Sequence, residues 1–214
     1  MTKIKLCGLT RPCDMQAAND LMPDFVGFVF APKSKRFVTP EKAAALKAAL
    51  NPAITAVGVF VNALPEKIAA LYRHGVIDMA QLHGGEDAAY IARLRALADV
   101  PLIQAFCVRS EREVRAANAS TADYVLLDAG AGTGTVFDWR CLNVAERPYF
   151  LAGGLDCANV KAAVRNFSPY AVDVSSGIET DGVKDVGKMR AFVSAVRSIP
   201  GLTAAAEKRK IQQK

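Results

Sequence analysis

Two residues capable of proton transfer end short apolar runs in this sequence. Cys7 closes Lys5-Leu6-Cys7 and is followed by Gly8-Leu9-Thr10, and Asp128 closes Leu126-Leu127-Asp128. A lone cysteine in such a place is either a packing residue or, as thiolate, a base or nucleophile. A carboxylate there either caps nearby backbone amides or works as a general acid. Gln81 and His83 end a third run, Gln81-Leu82-His83-Gly84-Gly85, and being two apart they point to one side of a strand. A satisfied core pair and a ligand-facing pair both fit that spacing. Arg36 follows Lys33-Ser34-Lys35, a solvated loop unless it folds back, in which case the guanidinium can grip a carboxylate bidentately.

Two further runs lead into small residues: Leu151-Ala152-Gly153-Gly154-Leu155 and Val172-Asp173-Val174-Ser175-Ser176-Gly177-Ile178-Glu179. Glycines and serines at such turns let backbone N–H groups and a short helix start cradle a dianion. A phosphate site from Gly153, Gly154, Ser175, Ser176 and Gly177 is the expectation. Gly130, Gly132 and Gly134, ahead of Phe137-Asp138-Trp139, read as a mobile loop or a close backbone approach to a ligand.

Something must hold these groups together. Eight apolar runs without polar alternation recur at near-regular intervals: Ile4–Cys7, Phe25–Phe30, Ala56–Val61, Met79–Leu82, Leu102–Phe106, Tyr124–Leu127, Tyr149–Ala152 and Ala171–Val174. Such runs suit parallel strands buried on both faces. Helix-forming segments separate them: Pro12–Asp20, Pro40–Leu50, Pro65–Tyr72, Asp87–Leu97, Glu111–Asn118, a short one near Trp139–Ala145, Ala158–Asn166 and Val186–Ser198. Thr39-Pro40 is an N-cap followed by proline at the first helical position. The pattern predicts an α/β chain folded as a single-domain (βα)8 barrel over residues 1–202, with an open doubly wound sheet as the competing arrangement. In the barrel, functional residues gather at the C-terminal ends of the strands. The first strand there neighbours the eighth, then the seventh and sixth. Cys7 and Asp128 thus flank the arc that holds the phosphate site, an arrangement suited to acid/base isomerisation of a sugar phosphate.

Composition narrows the partners. The chain has 214 residues, a formal net charge of +6 and five cysteines with no C-x-x-C spacing. A disulfide framework and a zinc site are not expected, and only His74 and His83 are available as imidazole ligands. Half of the excess charge sits in the tail 203–214, where Lys208, Arg209, Lys210 and Lys214 outweigh Glu207. That tail reads as disordered. No basic stripe with interleaved aromatics exists, so no nucleic acid is expected. The charged N-terminal stretch argues against a signal peptide, and no apolar run is long enough to span a membrane. A cytoplasmic protein, monomeric or homodimeric, acting on an anionic small molecule is the expectation.

Taken in order, Lys5-Leu6-Cys7-Gly8-Leu9-Thr10, Ser34-Lys35-Arg36-Phe37-Val38, Gln81-Leu82-His83-Gly84, Gly132-Thr133-Gly134 with Phe137-Asp138-Trp139, Leu151-Ala152-Gly153-Gly154-Leu155 and Val172-Asp173-Val174-Ser175-Ser176-Gly177-Ile178-Glu179 resemble the phosphoribosylanthranilate isomerase family. The likeness runs from Lys3 to about Val196. It implies a (βα)8 barrel and an Amadori rearrangement of N-(5-phosphoribosyl)anthranilate to 1-(2-carboxyphenylamino)-1-deoxyribulose 5-phosphate, in tryptophan biosynthesis. It further implies Cys7 as general base, Asp128 as general acid and Arg36 at the anthranilate end. Gln81, His83 and Asp173 are placed as further substrate-binding residues, and no metal or cofactor is required. The chemistry asks for an Asp128 that starts protonated and a Cys7 thiol below the free value of about 8.5. Lys5, on the same face as Cys7, stands where it can assist. Related barrels fit less well. A histidine-pathway isomerase would carry an aspartate at the position of Cys7, and indoleglycerol-phosphate synthase would rely on inward lysines. A phosphate-binding scaffold would need neither Cys7 nor Asp128.

Overall fold

Apolar runs of Val, Ile, Leu and Phe with no polar face can be hidden only between two apolar layers, and eight of them here close on one another. The computed structural model describes residues 1–129 and 139–200. The glycine-rich segment 130–138 and the basic tail 203–214 lie outside the described residues. The strands are β1 (Lys3–Cys7), β2 (Phe25–Val29), β3 (Thr55–Phe60), β4 (Met79–Leu82), β5 (Leu102–Cys107), β6 (Tyr124–Asp128), β7 (Tyr149–Ala152) and β8 (Ala171–Val174). They form a closed parallel barrel in sequence order. β1 pairs with β8 from Lys3↔Ala171 to Leu6↔Val174, which rules out the open sheet.

Helices α1 (Pro12–Leu21), α2 (Pro40–Ala48), α3 (Pro65–Arg73), α4 (Ala88–Leu97), α5 (Glu111–Asn118), α6 (Val160–Phe167) and α7 (Val186–Arg197) make the outer layer. The first three begin at proline, whose missing N–H has no helical partner at that position anyway. Thr39 caps α2 through a bond from the Lys42 N–H, 3.3 Å. Between β6 and β7 the described residues form a 3-10 segment, Trp139–Val144. No helix among the described residues is long and apolar enough to cross a membrane.

Alternation along each strand separates two cores. Ile4, Leu6, Val26 and Phe28 face outward and pack in the cluster that holds the helices. Phe25, Val57, Met79, Ile103, Leu126 and Phe150 face inward and fill the barrel. Each such side chain stabilises the fold by roughly 1.5–3 kcal/mol on leaving water. At the N-terminal end the Lys3 ammonium lies over the rings of Phe25 and Tyr170, 5.5 and 5.2 Å from their centroids. At the other end the inward positions become polar, and a mouth opens there.

Candidate active site

The mouth is a cavity of about 390 Å³. Of the residues singled out from sequence, Cys7, Arg36, Gln81, His83, Asp128, Gly153, Gly154, Asp173, Ser175 and Ser176 all line it. They come from β1, β4, β6, β8 and the loops after β2, β7 and β8, so only barrel closure brings them together. Gly177 is placed behind this wall. A Cβ at Gly177 would come within 2.0 Å of the Leu155 carbonyl oxygen, so glycine is what lets the turn after β8 seat on the loop after β7. Gly153 and Gly154 sit at φ 96° and 63°, a left-handed pair that places consecutive backbone groups at the rim.

Cys7 is 8% exposed and points into the mouth beside Val29 and Val59. Two residues back on the same face, Lys5 is fully buried. Its Nζ donates to both carboxylate oxygens of Asp173, at 3.1 and 3.0 Å. Its charge also acts on the Cys7 thiol, two residues further along the same face of β1. Burial works against the Lys5 ammonium, but Asp173 and Cys7 outweigh it and raise its pKa. For Cys7 the balance goes the other way: burial pushes the thiol up, Lys5 pulls it down, and Asp173 adds to the rise. The sequence-based expectation of a thiol below its free value is therefore not met, because desolvation of the barrel interior is the largest influence on it.

On β4, Gln81 is buried and its Nε2 lies 2.9 Å from His83 Nδ1. An amide nitrogen only donates, so Nδ1 accepts and the ring carries its proton on Nε2. That nitrogen faces Asp128 Oδ2 at 3.5 Å. Among the described residues, Gln81 Oε1 is the buried side-chain oxygen that has no hydrogen-bond partner.

The loop after β2 does fold back. Val38 N donates to Val29 O (2.9 Å) and Phe37 bridges Val29, which carries Arg36 over the mouth. There the guanidinium grips a carboxylate bidentately, as its geometry suggests, but the carboxylate is the chain's own Glu179: Nε–Oε1 is 2.6 Å and Nη2–Oε2 2.7 Å. Glu179 also accepts from Lys184 Nζ at 2.7 Å. Lys184 Nζ donates in addition to the backbone oxygen and Oγ of Ser175, at 2.8 and 3.2 Å. Burial alone would raise the Glu179 carboxyl, yet the Arg36 and Lys184 cations bring it down to about 2. These two residues sit on a hairpin that the sequence reading lacks, β9 (Glu179–Thr180) and β10 (Val183–Lys184), paired Lys184↔Glu179. The signal was present. Asp181 and Gly182 have φ of 53° and 77°, the two-residue turn for which Asp-Gly is the usual sequence.

Fold and mouth together define a (βα)8-barrel enzyme, with titratable groups ringed around one small cavity. The model of the N-(5'phosphoribosyl)anthranilate (PRA) isomerase family matches residues 4–195, and the chain belongs to that family. N-(5'-phosphoribosyl)anthranilate isomerase of Endomicrobium trichonymphae is 42% identical over 204 residues, covering 93% of this chain and all of the relative. The phosphoribosyl anthranilate isomerase of Thermotoga maritima superposes with a TM-score of 0.84 at 36% identity, over 93% of this chain and all of that one. A second solved structure, with a TM-score of 0.83, 35% identity and the same coverage, is a phosphoribosyl anthranilate isomerase in complex with reduced 1-(o-carboxyphenylamino)-1-deoxyribulose 5-phosphate. The chain is thus an isomerase of tryptophan biosynthesis with a small-molecule substrate.

Proposed function

We propose that Cys7 and Asp128 carry out the Amadori rearrangement of N-(5-phosphoribosyl)anthranilate as base and acid. The observation that carries this reading is their shared cavity, with a thiol from β1 and a carboxylate from β6 lining one mouth. Asp128, in its acid form, delivers a proton to the furanose ring oxygen. The C1′–O bond breaks toward that oxygen, and the anilino nitrogen lone pair forms the iminium. The Cys7 thiolate then takes the C2′ proton. The C–H electron pair becomes the C1′=C2′ double bond and the iminium π pair returns to nitrogen, giving an enolamine that tautomerises to the ketone. Two groups held against one bound substrate act at effective molarities far above those in solution.

The remaining wall suits the rest of that substrate. Gly153, Gly154, Ser175 and Ser176 supply backbone and hydroxyl donors for the phosphate, and the left-handed glycines support this. Gly177 serves by seating the Ser175–Ser176 turn. Arg36 faces the anthranilate carboxylate while Glu179 holds its fork in place. Gln81 Oε1 is a buried acceptor awaiting a hydroxyl donor, which suits a ribose. His83 orients Asp128. Asp173 acts through Lys5, since both of its oxygens are bonded there. Residues 1–202 form the catalytic domain. Five cysteines, all unpaired, agree with a reducing compartment and hence the cytoplasm.

The experiment follows loss of phosphoribosylanthranilate fluorescence without added metal, for wild type, Cys7→Ala and Asp128→Asn. Turnover by wild type, with both variants losing most activity yet binding a product analogue, supports the roles. A folded, inactive wild type would overturn the substrate assignment, and an active Cys7→Ala would overturn the base.

A further inference from the structure

The thiol that must act as a base stands in surroundings that oppose its charged form, and cations placed around it work against that. Two residues before Cys7 on the same face of β1 stands the Lys5 ammonium, itself fixed by Asp173 of β8. From the hairpin, Lys184 approaches through Ser175, whose Oγ donates to the Cys7 carbonyl oxygen at 3.1 Å. Arg36, from the loop after β2, is held by Glu179 and acts electrostatically on the same thiol. Lys5, Lys184 and Arg36 thus bring positive charge toward Cys7 from β1, the hairpin and the loop after β2, while Asp173 opposes them and Asp128 and His83 face it across the mouth. A cation held next to the sulfur favours its anionic form.

We propose that Lys5 is a positioning residue for the isomerase reaction, holding the Cys7 thiolate as an ion pair, and that Asp173 sets how strongly Lys5 does so. The arrangement parallels a nucleophile, an adjacent base and an orienting carboxylate, with one difference: the middle member is a permanent ammonium. It therefore stabilises the anion instead of removing its proton, which leaves for solvent. Strand geometry makes the pairing unavoidable. Lys5 and Cys7 are i and i+2 on β1, and Lys5 lies opposite Asp173 in the β1–β8 register. A lysine with no place in water and both partners aligned has few other states to adopt.

This inference rests on the reading of Cys7 as base, but its test does not need turnover. The Cys7 thiolate is titrated by ultraviolet absorbance as the difference from Cys7→Ser, and by pH-dependent alkylation with iodoacetamide mapped to Cys7. Lys5→Met should move the midpoint up by roughly 1 on the pH scale or more, a tenfold or greater loss of thiolate below the midpoint. Asp173→Asn should move it down, because Lys5 then answers to Cys7 alone. A Lys5–Asp173 pair with no bearing on the thiol would leave its midpoint unchanged in both variants. Shifts of the same sign, or no shift, overturn the proposal. Should Lys5→Met fail to fold, the sign for Asp173→Asn decides alone. Failure of the base reading shows separately, as an active Cys7→Ala.

Discussion

Arg36 and Glu179 meet through two parallel hydrogen bonds, 2.6 and 2.7 Å, across 143 residues of sequence. Glu179 is held at about 2 against an ordinary 4.5, so this contact can be read as a pH dependence. A carboxylate depressed by folding adds stability that is complete above its unfolded value and is lost as pH falls through its folded one. Glu179→Gln should therefore be less stable than wild type at neutral pH, by on the order of 2–3 kcal/mol. The gap should close between about pH 4.5 and pH 2, where wild type protonates Glu179 too. Urea unfolding of both proteins across that range checks this. A constant gap down to pH 2 would show that the stabilisation is not electrostatic.

Arg36→Lys tests the fork itself. Lysine keeps the charge but cannot offer two parallel N–H donors. Glu179 would retain Lys184, so the fold should survive with a loss of about 1 kcal/mol. The Michaelis constant should rise at least tenfold with a smaller change in kcat, the pattern of lost ground-state binding. Steady-state kinetics on the fluorescent substrate decides it, and an unchanged Michaelis constant would remove Arg36 from the substrate.

Legibility in the sequence followed burial. The eight strands were readable to within a residue or so at their ends because each is an unbroken apolar run, as Met79–Leu82 and Tyr149–Ala152 show without any shift. The open sheet stayed in contention because closure depends on β1 meeting β8, a pairing that no local pattern encodes. Cys7, Asp128 and the glycine–serine turns were readable because they end such runs. Lys5 was seen only as a neighbour of Cys7. Its burial and its bond to Asp173 depend on contacts 168 residues apart. The hairpin after β8 was missed because its strands are two residues each, too short to show alternation, although Asp181-Gly182 marks its turn.

Gln81 offers a test that separates folding from function. Its Oε1 is buried and unpartnered, which costs about 1–3 kcal/mol, while its Nε2 bond to His83 returns about 1 kcal/mol. Gln81→Met removes both at similar volume. Stability should stay within about 1 kcal/mol of wild type. Activity should fall at least tenfold, since a substrate hydroxyl loses its acceptor and His83 its orienting donor. Denaturation and kcat/KM measured on the same preparation check the pair of outcomes. Lost stability with retained activity would make Gln81 a core residue only.

Asp14 fixes the loop that follows Cys7. It is fully buried, accepts from the backbone N–H groups of Thr10 and Arg11 at 2.9 Å each, and binds the Arg11 guanidinium at 3.0 and 2.7 Å. Arg11 in turn donates to the Lys184 carbonyl oxygen at 2.6 Å, linking the first loop to the hairpin. Asp14→Ala should cost about 2 kcal/mol or more, since it leaves two backbone donors without their acceptor, while Arg11 keeps the Lys184 carbonyl oxygen. Thermal unfolding measures this. A loss below about 1 kcal/mol would show that water replaces the carboxylate there.

Gly27 bears most directly on catalysis. On β2 it faces Cys7 across the β1–β2 pairing, and a Cβ there would lie 2.6 Å from Cys7 Sγ and 3.1 Å from Cys7 Cα. The sulfur can rotate away from such a contact, but the Cα cannot move without spreading two paired strands. Gly27→Ala should thus destabilise by about 1–3 kcal/mol, as overpacking does. It should also displace the thiol from the C2′ proton, lowering kcat by about a hundredfold for a shift near 1 Å. Of the two turns proposed for the phosphate, the one after β7 lies away from the altered strand and the one after β8 meets β1 through the Ser175 Oγ–Cys7 carbonyl bond, so affinity for a product analogue should fall less than kcat. A variant that keeps its kcat while losing stability would show that the reaction tolerates a displaced Cys7, and would weaken the assignment of the thiol as base.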